Sequence, residues 1–254
     1  MINRLAVILI GQYRTWPICS KYLLNFFEDK AKQVDYFFVT WDKTPDLNDI
    51  TLKSTVTVTN KDITDFIQNQ KITYKILPDI PNVHTFYRMA YLSQAANELK
   101  KEVEHQNNFV YDQVVETRPD IYLRSYPKGG LECKWPSCQD FEYSGGEITN
   151  IGHRDLFMPD CYLRTNSFTH DILSQRINVI DVKLSFQRKI ITKDYRNDHH
   201  AMIAKFLLDN NIKKFECPYP DFEFDTVIRN PKMIDIDLDA LTLPEIVSLN
   251  VKSS

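Results

Sequence analysis

Glycine is scarce in this chain, with six in 254 residues, and the one that ends the first apolar run opens the stretch GQYR. That stretch has neither the GxGxxG spacing of dinucleotide-binding folds nor the GK[ST] ending of a phosphate-cradling loop, so a dehydrogenase and a P-loop kinase are both poorly supported. HExxH and GxSxG are missing too, and with them the simplest signatures of zinc proteases and serine hydrolases. An excess of charge of one sign is also lacking. Thirty-one basic against 34 acidic residues leave a net charge of -3. This argues against a non-specific nucleic-acid binder, which needs many cations to neutralise phosphates, while leaving room for a small basic pocket that takes one phosphorylated ligand.

Long hydrophobic runs are missing as well. LAVILI, Leu5 to Ile10, is too short for a signal sequence or a membrane span, and no other segment reaches spanning length. The five cysteines, Cys19, Cys133, Cys138, Cys161 and Cys217, are odd in number and contain no CxxC pair. A reduced, cytoplasmic setting is expected, and Cys133 and Cys138 read as ordinary thiols rather than a metal knuckle because no second Cys or His pair stands at suitable spacing.

What is present is a near-average globular composition, 43% hydrophobic and 26% charged, with alternating short apolar strands and helices. Strands are expected at Leu5 to Ile10, Val34 to Asp42, weakly in STVTVT, at Lys71 to Leu77 and at Tyr111 to Thr117. Helices are expected near Pro17 to Asp29, in a short stretch from Asp62, from Thr85 to Gln106 and from Asp198 to Asn211. In the long helix Phe86, Met89, Ala90, Leu92, Ala96, Leu99 and Val103 form the apolar face. A long loop is expected from Ser125 to Ser144, then a strand in RDLFMP and a polar helix from Cys161 to Gln175. The pattern predicts an α/β fold, one domain over residues 1–217 with a mostly parallel central sheet and helices on both faces, followed by an acidic, irregular extension over 218–254.

In such a sheet ligands bind beyond the carboxyl ends of the strands, so the polar residues there carry the function. The first strand ends in Gly11, Gln12, Tyr13 and Arg14, the second in Thr40, Trp41 and Asp42. The strand DQVVE runs into Glu116, Arg118 and Asp120. Pro119 has no amide proton and a fixed φ, so the chain leaves the ladder there and presents Asp120 in a defined direction. A carboxylate held in this way suits a hard cation, Mg2+ or Mn2+; the plainer alternative is an Arg118–Asp120 ion pair at a strand end. Asp198 stands near the start of a helix, either as its N-cap or as a general base, with His199 and His200 beside it. Adjacent helical residues point about 100° apart, so at most one of those histidines faces a pocket.

AVILIGQYRTW, DYFFVTWD, TFYRMAYLSQAANEL, YDQVVETRPDIYLR, GGEITNIGHRDLFM and NDHHAMIAKFLLDNNI together resemble a family of small GT-A type glycosyltransferases found in large DNA viruses and bacterial surface-polysaccharide loci. The resemblance covers roughly residues 5 to 215. It implies a Rossmann-like GT-A domain and transfer of a sugar from a nucleotide-diphosphate donor to a glycan, glycolipid or glycoprotein acceptor, with inversion. It also implies Mn2+ or Mg2+ on Asp120, with Glu116, His199 or His200 as further ligand candidates. Gly11, Gln12, Arg14, Asp42 and Arg118 become donor contacts, Gly145, Gly146 and Glu147 the loop beside the acceptor, and Asp198 the catalytic base. The departure is Arg118, which replaces the first acidic residue of the family's Asp-x-Asp. Either Glu116 compensates, or Arg118 neutralises phosphate directly and metal dependence weakens. Two other classes compete: a non-catalytic nucleotide-sugar or glycan binding module on the same fold, and a metal-dependent phosphohydrolase or nucleotidyltransferase.

Overall fold

The computed structural model describes residues 2–46, 54–65, 71–124, 141–143, 162–180, 206, 210, 214–216 and 224–251. β1 (Ile2–Gly11) is followed by α1 (Trp16–Glu28) and β2 (Ala31–Trp41). Two short strands, β3 (Lys43–Pro45) and β4 (Thr55–Thr57), pair antiparallel outside the main sheet. α2 (Asn60–Thr64) carries a full capping box between Thr59 and Asp62, and β5 (Ile72–Leu77) leads into α3 (Thr85–Asn107). β6 (Gln113–Thr117), β7 (Ile121–Arg124), β8 (Phe141–Tyr143) and β9 (Tyr162–Thr165) come next. α4 (Ser167–Leu173), β10 (Lys214–Glu216), β11 (Phe224–Val227) and α5 (Leu243–Val251) complete the described strands and α-helices.

The main sheet has the order β10-β8-β9-β6-β1-β2-β5. β5, β2, β1 and β6 run parallel, and β9 opposes both of its neighbours. β1 is buried on both faces, as its unbroken apolar run requires. Leu5, Val7 and Leu9 pack with Trp16, Leu23 and Phe27 of α1, whereas Ala6, Ile8 and Ile10 pack with Leu92 and Ala96 of α3. The expected α/β class with a mostly parallel sheet and helices on its two faces is therefore present.

Three elements differ from the sequence reading. The expected polar helix from Cys161 to Gln175 is strand β9 followed by a helix that starts only at Ser167. Asn166 sets that boundary, since its side chain accepts from the Thr169 amide at 2.7 Å, and the aromatic and β-branched residues before it favour the sheet. The loop expected from Ser125 to Ser144 contains a strand: β8, Phe141–Tyr143, pairs in the main sheet with β9 and β10, and β7 just before the loop pairs with β11. Finally, the stretch from 224 onward is structured rather than irregular. Ile228, Met233, Leu238 and Ile246 are all fully buried in the same cluster as α1 and β7. This explains why α1 buries more than one stripe. The sheet covers one side, and the other meets the C-terminal segment, where Tyr22 Oη accepts from the Leu238 amide at 2.7 Å. The RDLFMP strand and the rest of the loop expected from Ser125 to Ser144, residues 125–140 and 144, lie outside the described residues. So does the Asp198 to Asn211 helix, apart from Phe206, which is helical, and Asn210.

Candidate functional site

The chain leaves β1 toward β2 on one side and returns through α3 to β6 on the other. The connections thus diverge between β1 and β6, and in open α/β sheets the crevice at that switch point is the usual ligand site. Gly11 closes β1 with φ 141, a region that only glycine enters without strain, and a Cβ placed there would stand 3.3 Å from Pro119 Cδ. Hence the end of β1 lies directly against the Arg118–Pro119–Asp120 turn. Gly11→Ala is expected to cost about 1–3 kcal/mol of stability, read as a lowered denaturation midpoint. An unchanged midpoint would mean that the two loops are not held in this contact.

Arg14, two residues before α1, has φ 25, an uncommon conformation for a non-glycine residue. Its amide donates to Thr44 Oγ1 at 3.2 Å, its Nε donates to Gln12 Oε1, and its Nη1 lies 3.8 Å from Asp120 Oδ2. Arg118 grips the same carboxylate in fork geometry, Nε donating to Oδ1 at 2.7 Å and Nη2 to Oδ2 at 2.9 Å. Asp120 is 1% exposed, while the Arg14 and Arg118 side chains keep 29% and 23% of their exposure. Burial pushes the Arg14 guanidinium below its ordinary pKa. Asp120 opposes that shift, and the charges of Arg118, Arg229 and Arg88 add to it. Two of these arginines, Arg88 and Arg229, are not among the sequence-derived candidates.

Each is carried in by its own element. Asp42, at the end of β2, accepts the Asp79 amide on Oδ1 at 2.7 Å, which fixes the turn after β5. Asp79 in turn pairs with Arg88 in the second turn of α3, and the Arg88 guanidinium lies 5.0 Å from the centroid of the Trp41 ring. Trp41, 2% exposed, also stacks on Tyr91 and is a core residue. Arg229 follows Ile228, whose amide donates to the Asp120 carbonyl at 2.8 Å and whose carbonyl accepts from Thr15 Oγ1 at 2.7 Å. The C-terminal segment therefore passes directly over the site.

Glu116 is not brought to this group. It accepts from Arg176 Nη2 at 2.6 Å and from Ser93 Oγ, and its Oε2 lies 3.1 Å from His170 Nε2. These partners come from α3, α4 and the 3-10 turn Ser174–Val179. Burial alone would raise its pKa, but Arg176, His170 and Ser93 outweigh this and hold it well below the usual carboxylate range. A ligand role for Glu116 beside Asp120 does not fit, because both its oxygens are committed to that buried cluster.

The divalent cation implied by the resemblance does not fit the described residues either. No group of three His, Cys, Asp or Glu among them could hold a metal, and the Asp120 carboxylate is clamped by a guanidinium on both oxygens, with a second close by. Hard cations need several oxygen donors, and here the Asp120 oxygens face guanidinium groups instead. Gly145, Gly146, Glu147, Asp198, His199 and His200 lie outside the described residues. No helix among the described residues is long and apolar enough to cross a membrane. The sequence matches no protein-family model and no curated protein.

Proposed function

We propose that the chain is a glycosyltransferase that takes its sugar from a nucleotide-diphosphate donor and passes it to a hydroxyl acceptor. The observation that supports this reading most directly is the placement of Arg14, Arg118 and Asp120 at the switch point of a mostly parallel sheet, with two further arginines in range. A nucleoside diphosphate leaves only if its developing charge is met, and guanidinium groups held at a strand end meet it. The acceptor oxygen would attack the anomeric carbon as the bond to the diphosphate oxygen breaks. The hydroxyl proton would pass to a carboxylate, a role the resemblance implies for Asp198. Gln12 and Asp42 flank the crevice and suit polar contacts to the nucleoside.

The test is a panel of nucleotide-diphosphate sugars, scored for release of nucleoside diphosphate and free sugar in the absence of acceptor. Slow release from one donor class is expected. A second reading, a binding module without turnover, is favoured by one feature, the Asp120 carboxylate already neutralised by Arg118. It predicts stabilisation without release: a ligand at about 100 times its Kd should raise the melting temperature by about 5–10 °C, with no product over hours. If no donor is either cleaved or bound, both readings fail.

A further inference from the structure

We infer that Asp120 is an internal counter-ion rather than a metal ligand, and that a diphosphate displaces it from Arg118 and Arg14 to sit in a metal-independent seat completed by Arg88 and Arg229. This rests on reading the switch-point crevice as the donor site. The four guanidinium groups come from four separate segments: the β1–α1 loop, the β6–β7 turn, α3 and the C-terminal segment. Among the described residues, Asp120 lies between Arg14 and Arg118, Asp79 pairs with Arg88, and Asp42 accepts the Asp79 amide. A diphosphate diester is itself a dianion that paired guanidinium N–H groups suit, whereas a divalent cation would meet those groups with like charge.

The geometry favours exchange over a permanent ion pair. Arg118 holds Asp120 through a fork, the arrangement that also fits two phosphate oxygens. Arg14 is held on a strained backbone and lies farther from Asp120 than a hydrogen bond reaches, so its guanidinium is poised near the carboxylate without being committed to it. Arg229 is exposed, but its backbone is pinned to Asp120 and Thr15 through Ile228 and to Asn250 Oδ1 through its own amide at 2.7 Å. It is therefore a fixed member of the rim rather than a wandering surface cation.

The experiment is calorimetric titration of inorganic pyrophosphate into the full chain in excess chelator at low ionic strength. Wild type should bind, and added Mn2+ should not tighten binding. Asp120→Asn removes the competing anion and should bind about tenfold tighter, whereas Arg229→Gln removes one cation and should bind about tenfold weaker. A metal-ligand role for Asp120 requires the opposite, binding only with Mn2+ and loss in Asp120→Asn, and either result overturns the inference. So does an absence of pyrophosphate binding in wild type. If Asp120→Asn fails to fold, Arg229→Gln decides alone, since its side chain is exposed and unchanged affinity there overturns the seat. Chelator-resistant pyrophosphate binding without sugar release keeps this inference and removes the enzyme. Donor turnover with Mn2+-dependent pyrophosphate binding does the reverse.

Discussion

Glu116→Gln is expected to destabilise the chain by about 3–5 kcal/mol, the usual cost of breaking a buried ion pair from one side, and to lower the melting temperature by about 6–20 °C. Glu116 and Arg176 are both nearly inaccessible, and the substitution leaves the Arg176 charge without its 2.6 Å partner. The His170 and Ser93 contacts weaken at the same time. Replacing Arg176 as well, by Met, should restore part of the loss, because a pair removed together leaves no orphaned charge. A double-mutant cycle measures that coupling, and additive losses would show that the pair is not coupled. The pH dependence follows from the same group. Its folded pKa lies below the ordinary value of 4.5, so the unfolded chain binds the proton first as pH falls. The pair's contribution is fully present above that value and is lost progressively below it. Wild type should accordingly lose stability steeply below about pH 4.5, and Glu116→Gln should flatten that limb.

This cluster is also where the sequence was least legible. The apolar face of α3 could be read from spacing, and Leu92 and Ala96 do pack on the sheet. The same helix carries a second buried stripe, Ser93, Asn97, Lys100 and Glu104, that no hydrophobicity pattern reveals because every member is polar. Its partners arrive from far along the chain: Ser167 and Asp171 meet Lys100, and His170 meets Asn97. Polar residues are buried when they satisfy one another, which is a fact of tertiary structure and leaves no local trace. The strand ends were different. The unbroken apolar run of β1 demanded a central strand, and Pro119 demanded an exit from the ladder, so Arg14, Arg118 and Asp120 could be placed at one edge from local chemistry alone. Arg229 could not. Its neighbourhood reads as an acidic tail, and only the burial of Ile228, Met233 and Leu238 against α1 brings it over the crevice.

Arg118→Gln is expected to lower turnover of the donor about 10²–10³-fold, the range for loss of one preorganised donor to a developing charge. The loss should fall on kcat more than on KM. The diphosphate carries most charge as the glycosidic bond breaks, so a fixed fork contributes more in the transition state than in the bound donor. Arg118→Lys retains the charge but not the paired N–H groups and should fall between the two proteins, about tenfold down. That graded order separates a phosphate-binding role from a structural one. If Arg118 only held Asp120, Lys and Gln would track the measured stability instead, with Arg14 at 3.8 Å taking up the carboxylate in both. Melting curves on the same samples make the comparison. Activity that follows stability, or full activity in Arg118→Gln, would remove Arg118 from the chemistry and leave it as the clamp of a strand end.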